Sequence, residues 1–268
     1  MKRLVFILSI IFLLTCLNSL SADTLEIATT DSPPLTSQNS FENLGNGIFV
    51  DITSAIIEKS GNQADFKFLP PRRAYATFLG KKIPYILSSK HTVQALKIDE
   101  NQLNILSLGF YSQYFFYFKS HIGKDVVFKK YEDLSGYSVC VTAGSFIVPV
   151  LKKANVHVEE ASSNETCAKK LEAKRNDLWG ALELTANFYT KKLFPDKLSD
   201  LSHTNPSSNS TDEVYFISFK SDTKASTLHE QLIPAFQQLK QDGTALKIMQ
   251  KYWGDNVPEK VLPLDMRK

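Results

Sequence analysis

Hydrophobic and polar positions fall in short blocks along the chain, and the blocks change period in a regular order. Thr24 to Thr30 alternates as a strand and is closed by the breaker Asp31-Ser32-Pro33-Pro34. Val50, Ile52, Ala55 and Ile56 recur with helical spacing up to Gly61. Phe66 to Leu69 is a short strand, Pro70-Pro71 leads into a helix through Tyr75 and Phe78 that stops at Gly80, and Ile83 to Leu87 is the next strand. This β-α-β-α-β order predicts a mostly parallel sheet covered by helices.

The same order restarts after the aromatic run Phe115 to Phe118. Leu134-Ser135-Gly136 turns into a strand from Tyr137 to Val141, Gly144-Ser145 opens a helix to Ala154, and Val156 to Glu159 is a strand. Ser162 and Glu165 have capping-box spacing for a helix through Cys167, Ala168 and Leu171, and a strand from Leu178 to Leu182 follows. The polar stretch Leu201 to Asp212 reads as a loop, and Val214 to Phe219 as a last strand. Leu228, Leu232, Phe236 and Leu239 then share a helical face, Asp242-Gly243 supplies a turn, and Leu246, Met249 and Trp253 resume the apolar stripe. The pattern predicts two similar α/β lobes.

Lys2 and Arg3 precede an apolar run from Leu4 to Leu17, with Ser19, Ser21 and Ala22 as small residues for cleavage. That is the layout of a secretory signal peptide over residues 1–22, and the run is short of the roughly 20 residues a spanning helix needs. Cys16 in Leu13-Leu14-Thr15-Cys16 hints at a lipoprotein site, but Thr15 just before the cysteine is a poor fit for lipoprotein processing. Losing the leader removes two of the 31 basic residues, leaving them nearly balanced by 28 acidic ones. With basic residues scattered and no zinc-finger spacing, the chain carries no nucleic-acid footprint. Cys140 and Cys167 remain, an even count that in an exported chain points to a disulfide worth roughly 3 kcal/mol; two buried apolar thiols are the competing reading. Neither cysteine has a partner at metal-ligand spacing, so no metal and no cofactor is expected.

Several phrases resemble one family in consistent order. Gly47-Ile48-Phe49-Val50-Asp51-Ile52, Pro71-Arg72-Arg73-Ala74-Tyr75 with Gly80-Lys81, Asp133-Leu134-Ser135-Gly136-Tyr137 with Gly144-Ser145, Lys170 through Trp179, and Ala235 through Gly254 together resemble bacterial extracellular solute-binding proteins, family 3, the amino-acid-binding type. The resemblance implies a two-lobed periplasmic-binding-protein-like fold (type II) with two crossing hinge strands. Lobe one is then residues 23–112 plus 214–268 and lobe two 113–213. It also implies a periplasmic monomer that captures a small polar solute, anionic or amino-acid-like, for the membrane permease of an ABC-type transporter. Two alternatives stay open on the same scaffold: a cleft lyase resembling cyclohexadienyl dehydratase, and a soluble ligand sensor. No nucleophile elbow, HExxH pair or phosphate loop favours an enzyme.

The chain departs from that family where an arginine usually clamps the ligand carboxylate, because Ser88 to Gln94 contains none. Pro84 also replaces the usual aspartate, and Leu35 stands where an aromatic often faces the ligand. The candidate solute contacts are therefore Arg73 and Arg72 at a helix start, Tyr85, Ser88 and Ser89 at a lobe-one strand, Tyr111 at the hinge, Gly144 and Ser145 after a lobe-two strand, and Glu183 after another. Guanidinium groups suit a carboxylate in bidentate fashion, a strand-end turn offers backbone N–H donors, and Glu183 offers a partner for an ammonium. Arg73 is the favoured cation, facing Gly144-Ser145 across the cleft. Surface arginines, a plain helix start and a solvated glutamate are the competing readings of the same residues. Trp179 lies in a strand apolar at nearly every position and is assigned to the core.

Overall fold

A computed structural model describes residues 22–40, 44–145, 147–205 and 211–267. The expected leader thus lies, apart from Ala22, outside the described residues, as does Cys16.

The expected alternation is present. Strands β1 (Thr24–Thr29), β2 (Gln63–Phe68) and β3 (Tyr85–Ser89) pair in parallel in the order β2-β1-β3. Helices α1 (Ile48–Lys59), α2 (Pro71–Leu79) and α3 (Lys90–Ala95) connect or follow them. Pro71 opens α2, where a missing N–H costs nothing. Helix α3 is too short to leave a periodic signal. It is capped by Ser89, whose Oγ accepts from the Thr92 N–H at 3.3 Å.

Strand β4 (Leu103–Phe118) is 16 residues long and belongs to both lobes. Leu103 to Ser112 pair antiparallel with β9 (Thr211–Phe219), while Gln113 to Phe116 pair with β7 (Leu178–Leu182). Beyond the switch, β5 (Ser138–Thr142) pairs in parallel with both β7 and β6 (His157–Ala161). Leu201–His203, expected as loop, instead forms β8 along the end of β4. We propose the lobe boundaries at this change of partner, which assigns Thr211 to Glu213 to lobe one rather than starting its return at Val214.

Each lobe has helices on both faces of its sheet. In lobe one, α1, α8 (Thr223–Gln241) and α9 (Thr244–Trp253) bury Ile52, Ile56, Leu232, Phe236 and Met249 on one face, and α2 and α3 bury Ala74, Phe78 and Val93 on the other. Each such side chain withdrawn from water contributes about 1.5–3 kcal/mol before entropy is counted. Gly243, at φ 79°, makes the turn between α8 and α9. Asp51 in the first turn of α1 accepts from Tyr252 Oη at 2.7 Å, so the last helix is tied to the first.

In lobe two, α5 (Ile147–Lys153) packs with Phe128 and Leu134 on one face, while α6 (Asn164–Glu172) and α7 (Glu183–Leu193) cover Trp179 on the other. After α4 (Lys119–Ile122) the chain closes this lobe with short turns. The expected Ser162/Glu165 box is not formed. Ser163 is the cap, its Oγ accepting from the Thr166 N–H at 3.1 Å, because Ser163 is the last residue with extended backbone. Glu165 pairs instead with Lys169 one turn on.

Cys140 on β5 and Cys167 on α6 form the expected disulfide, with Cα atoms 5.5 Å apart and both residues fully buried. Protein made in an oxidising compartment should take up no label when alkylated without reductant and weighed intact. Replacing both cysteines by alanine should cost about 3 kcal/mol from the lost loop constraint, read as a lower denaturation midpoint.

Candidate functional site

Between the lobes lies a cleft whose walls are the loops at the carboxyl ends of the parallel strands, where ligands of α/β sheets are held. Its main compartment has a volume of about 270 Å³. Lobe one supplies Thr30, Asp31 and Ser32 after β1, Pro71 and Tyr75 from α2, and Thr92 from α3; lobe two supplies Thr142 to Ser145 after β5, Asn164, and Gly180 to Leu182 on β7. A side compartment of about 150 Å³ runs into lobe one past Leu35, Ser88 and Ser89, and shares Thr30, Ser32, Tyr75, Thr92, Tyr111 and Leu182 with the first.

The walls are rich in hydroxyl and amide groups. Tyr75 Oη lies 3.2 Å from Ser88 Oγ, and burial pushes the Tyr75 hydroxyl up, so it stays a neutral donor. Thr142 Oγ1 donates to Asn164 Oδ1 at 3.1 Å, joining two segments of the lobe-two wall. Gly144, at φ 80°, makes the turn after β5 that turns Ser145 back toward Thr142, whose carbonyl accepts the Ser145 N–H at 3.1 Å. Asp31 is the charged side chain among those that line these two compartments. Asp31 is exposed, and its Oδ1 accepts from the Gln38 N–H at 3.0 Å.

The residues singled out from sequence divide into three groups. Ser88, Ser89, Tyr111, Gly144 and Ser145 line the cleft. Arg72 and Arg73 lie beside it: Pro71 is in the wall and both arginines are exposed on the first turn of α2. Of the two, Arg72 is the one whose charge bears on a lobe-two group, as the smallest of several influences. The Glu160 carboxyl at the end of β6 is held below its usual range chiefly by Lys152, with smaller contributions from the Gly144 N–H and the Arg72 guanidinium. Tyr85 and Glu183 face elsewhere. Tyr85 begins β3, at the opposite end of the strand from the cleft, and stacks on Phe216 with ring centroids 5.3 Å apart; burial raises its pKa to about 12. Glu183 lies 2.8 Å from Lys260 Nζ, and Lys260 also donates to Tyr114 Oη at 3.0 Å, so the C-terminal segment is bonded to lobe two behind the cleft.

No family model matches the sequence, and no curated protein matches it. Solved structures do match. The substrate-binding protein of an amino acid ABC transporter aligns with a TM-score of 0.64 at 16% identity, over 86% of this chain and 99% of that one. A histidine kinase sensor domain with similarity to periplasmic binding proteins aligns with a TM-score of 0.67 at 15% identity, over 88% and 99%. An ancestral amino-acid-binding protein, a precursor of cyclohexadienyl dehydratase, aligns with a TM-score of 0.63 at 17% identity, over 85% and 94%. This is the periplasmic-binding-protein-like fold.

In this chain the fold's joint is held by a buried carboxylate. Asp212, on β9 beside the point where β4 changes partner, accepts from Tyr111 Oη at 2.7 Å, from the His91 N–H at 3.1 Å and from the Glu213 N–H at 2.8 Å, and His91 Nδ1 lies 2.9 Å from it. Burial, with the Asp212 charge beside it, holds the Tyr111 hydroxyl well above the usual tyrosine range, so Tyr111 remains the donor. Sequence reading passed over Asp212 as part of a polar loop and Asp31 as part of a strand breaker. Tyr75, Thr92 and Asn164 were absent from it as cleft groups. The one available signal was position, since Asp31 directly follows a predicted parallel strand.

Asp212→Ala strands a buried hydroxyl and two N–H groups, each costing about 1–3 kcal/mol when left unpartnered. The denaturation midpoint should fall by the equivalent of at least 3 kcal/mol with unchanged slope. Asp212→Asn, which keeps one acceptor oxygen, should lose less.

Proposed function

We propose that this protein is a periplasmic solute-binding protein that captures a small amino-acid-like solute and presents it to the permease of an ABC-type transporter. The observation that carries the reading is the cleft itself: it is closed by strand-end loops from both lobes and lined by hydroxyls and amides around one carboxylate. Such walls orient a small polar molecule without supplying an evident nucleophile and base pair.

The pairing of charges follows from the site. An ammonium group is met by Asp31 on lobe one. A carboxylate is met from lobe two by the Ser145 hydroxyl, since the Ser145 and Gly144 N–H groups are engaged by the Thr142 carbonyl and Glu160, and from lobe one by Arg72, whose charge bears weakly on Glu160. Sequence favours Arg73 for this role; the electrostatic link of Arg72 to Glu160, weak as it is, supports Arg72 instead. A guanidinium here stands in for the arginine absent from Ser88 to Gln94.

A thermal-shift screen over amino acids, amines, organic acids and sugar acids tests the reading, because ligand at about 100 times its dissociation constant stabilises by roughly 2.7 kcal/mol. The hit should be recovered chemically unchanged. Turnover of the hit would instead establish the lyase alternative, and an absence of any stabilising amino-acid-like compound would defeat the solute class.

Calorimetric titration of the hit against Arg72→Ala should show affinity reduced about 10- to 150-fold, the equivalent of losing a charged hydrogen-bond partner. Arg73→Ala should stay close to the parent. Small-angle scattering at saturation should give a smaller radius of gyration as the lobes close on the solute; an unchanged radius would mean a protein that binds without closing.

A further inference from the structure

A second and larger space of about 370 Å³ lies between the lobes on the other side of α3, and Gln113 lines both spaces. Its lobe-one wall is the face of α3 carrying His91, Gln94 and Ala95, spaced to fall together on a helix. Its lobe-two wall is apolar and aromatic: Phe115, Phe128, Tyr131, Ile147, Pro149 and Val150.

On the lobe-two side the amide and hydroxyl groups of this chamber are bonded within the protein, and the Gln94 and Gln113 amides stand at its lobe-one wall and its mouth. The Asn205 side chain accepts from the Phe128 N–H at 3.0 Å and donates to the Phe128 carbonyl at 3.1 Å. The Thr204 N–H donates to the Phe115 carbonyl at 2.9 Å, and Thr204 Oγ1 accepts from the Phe115 N–H at 3.3 Å. The Nδ1 of His91 lies 2.9 Å from Asp212. A lobe-two wall of aromatic and aliphatic side chains whose Thr204 and Asn205 groups are satisfied internally offers an occupant mainly apolar contact, whereas the compartment beside Asp31 and Ser145 offers charge and hydrogen bonds.

From this division we infer that the solute is amphipathic: its polar head sits among the hydroxyls of the cleft and an apolar arm, best an aryl group, passes Gln113 into the chamber beneath α3. This rests on the solute-binding reading above and adds the class of side chain to it. The size agrees, since an apolar cavity of about 150 Å³ already holds a benzene-sized ring. The position agrees as well, because the chamber has one wall on each lobe and is buried further when they close.

Isothermal titration with alanine, leucine, phenylalanine and 2-amino-4-phenylbutyrate tests it on the full exported chain. Affinity should rise along the series, with the best aryl member binding at least tenfold more tightly than alanine, since each buried methylene is worth about fourfold. Val150 is 38% exposed on α5, so Val150→Asp places a charge in the chamber without opening the core. It should return the aryl members to within about threefold of alanine and leave alanine itself unchanged. Gln94→Trp, on the opposite wall, should do the same by filling the space, and it serves should Val150→Asp fold poorly. Amino acids that bind with equal affinity along the series, or an aryl gain that survives both substitutions, would overturn the arm chamber while leaving the solute reading intact. No binding by any member would overturn both.

Discussion

The continuity of β4 is the constraint on which the other features depend. One 16-residue strand cannot serve two separate sheets unless its hydrogen-bonding edge changes partner, and it does so between Ser112, paired with Thr211, and Gln113, paired with Leu182. Because β3 and β7 both run into this region, the carboxyl ends of the parallel strands in both lobes are brought to the same place. The loops after β1, β3, β5 and β7 therefore face one another, and the cleft follows from the topology before any ligand group is chosen. Gly109 shows how tightly the strand is held from behind: at φ 138°, an added Cβ would come within 2.9 Å of the Val261 carbonyl oxygen. The C-terminal segment lies across the back of β4, and Arg267 stacks on Phe110 at 4.4 Å.

A joint of this kind has to be both specified and able to bend, and polar groups do what packing cannot. Asp212 is 5% exposed, and burying a carboxyl group is costly unless its oxygens are filled with donors. Its donors come from β4, through Tyr111, and from the start of α3, through His91. The carboxylate thus fixes α3 against the two strands that carry the hinge, and α3 is also the partition between the polar cleft and the apolar chamber. On the far side, Lys260 links Glu183 of α7 to Tyr114 of β4. Thr185 Oγ1 donates to the Pro33 carbonyl at 3.1 Å, a direct bond between the lobes at the edge of the cleft. Beside these polar bonds, Leu184 of α7 is buried in the lobe-one core with Leu182 packed against it, so the contact between the lobes here is part polar and part apolar.

Much of the fold was legible in the sequence because the alternation of period two and period 3.6 is written in buried residues: Ile27, Ile52, Phe78, Val139, Leu171 and Trp179 are all nearly inaccessible. The pattern failed where a helix was too short to repeat, as in α3, or where both faces of a strand are covered, as along Leu103 to Phe118. It also misplaced one cap by a residue, because Ser162 and Ser163 offer the same hydroxyl and only the backbone angles at Ser163 decide between them. Polar composition was read as loop over Leu201 to Asp212, yet Leu201–His203 pairs with β4 and Asp212 is a buried structural acid.

The site was less legible than the fold for a physical reason. A strand position tells which residues precede a cleft, but the direction of each side chain depends on which end of the strand faces the other lobe and on what competes for it. Tyr85 and Ser88 belong to the same strand, yet only the carboxyl-end residue reaches the cleft, while Tyr85 stacks on Phe216 in the core. Glu183 follows a strand at the correct end and is still drawn to Lys260, a residue far along the chain whose proximity no local pattern encodes. Arg72 and Arg73 are adjacent in sequence and differ by about 100° around the helix axis, so their side chains leave the helix toward different surroundings. Choosing between such neighbours requires the second lobe, which is the information a linear pattern lacks and the hinge strand supplies.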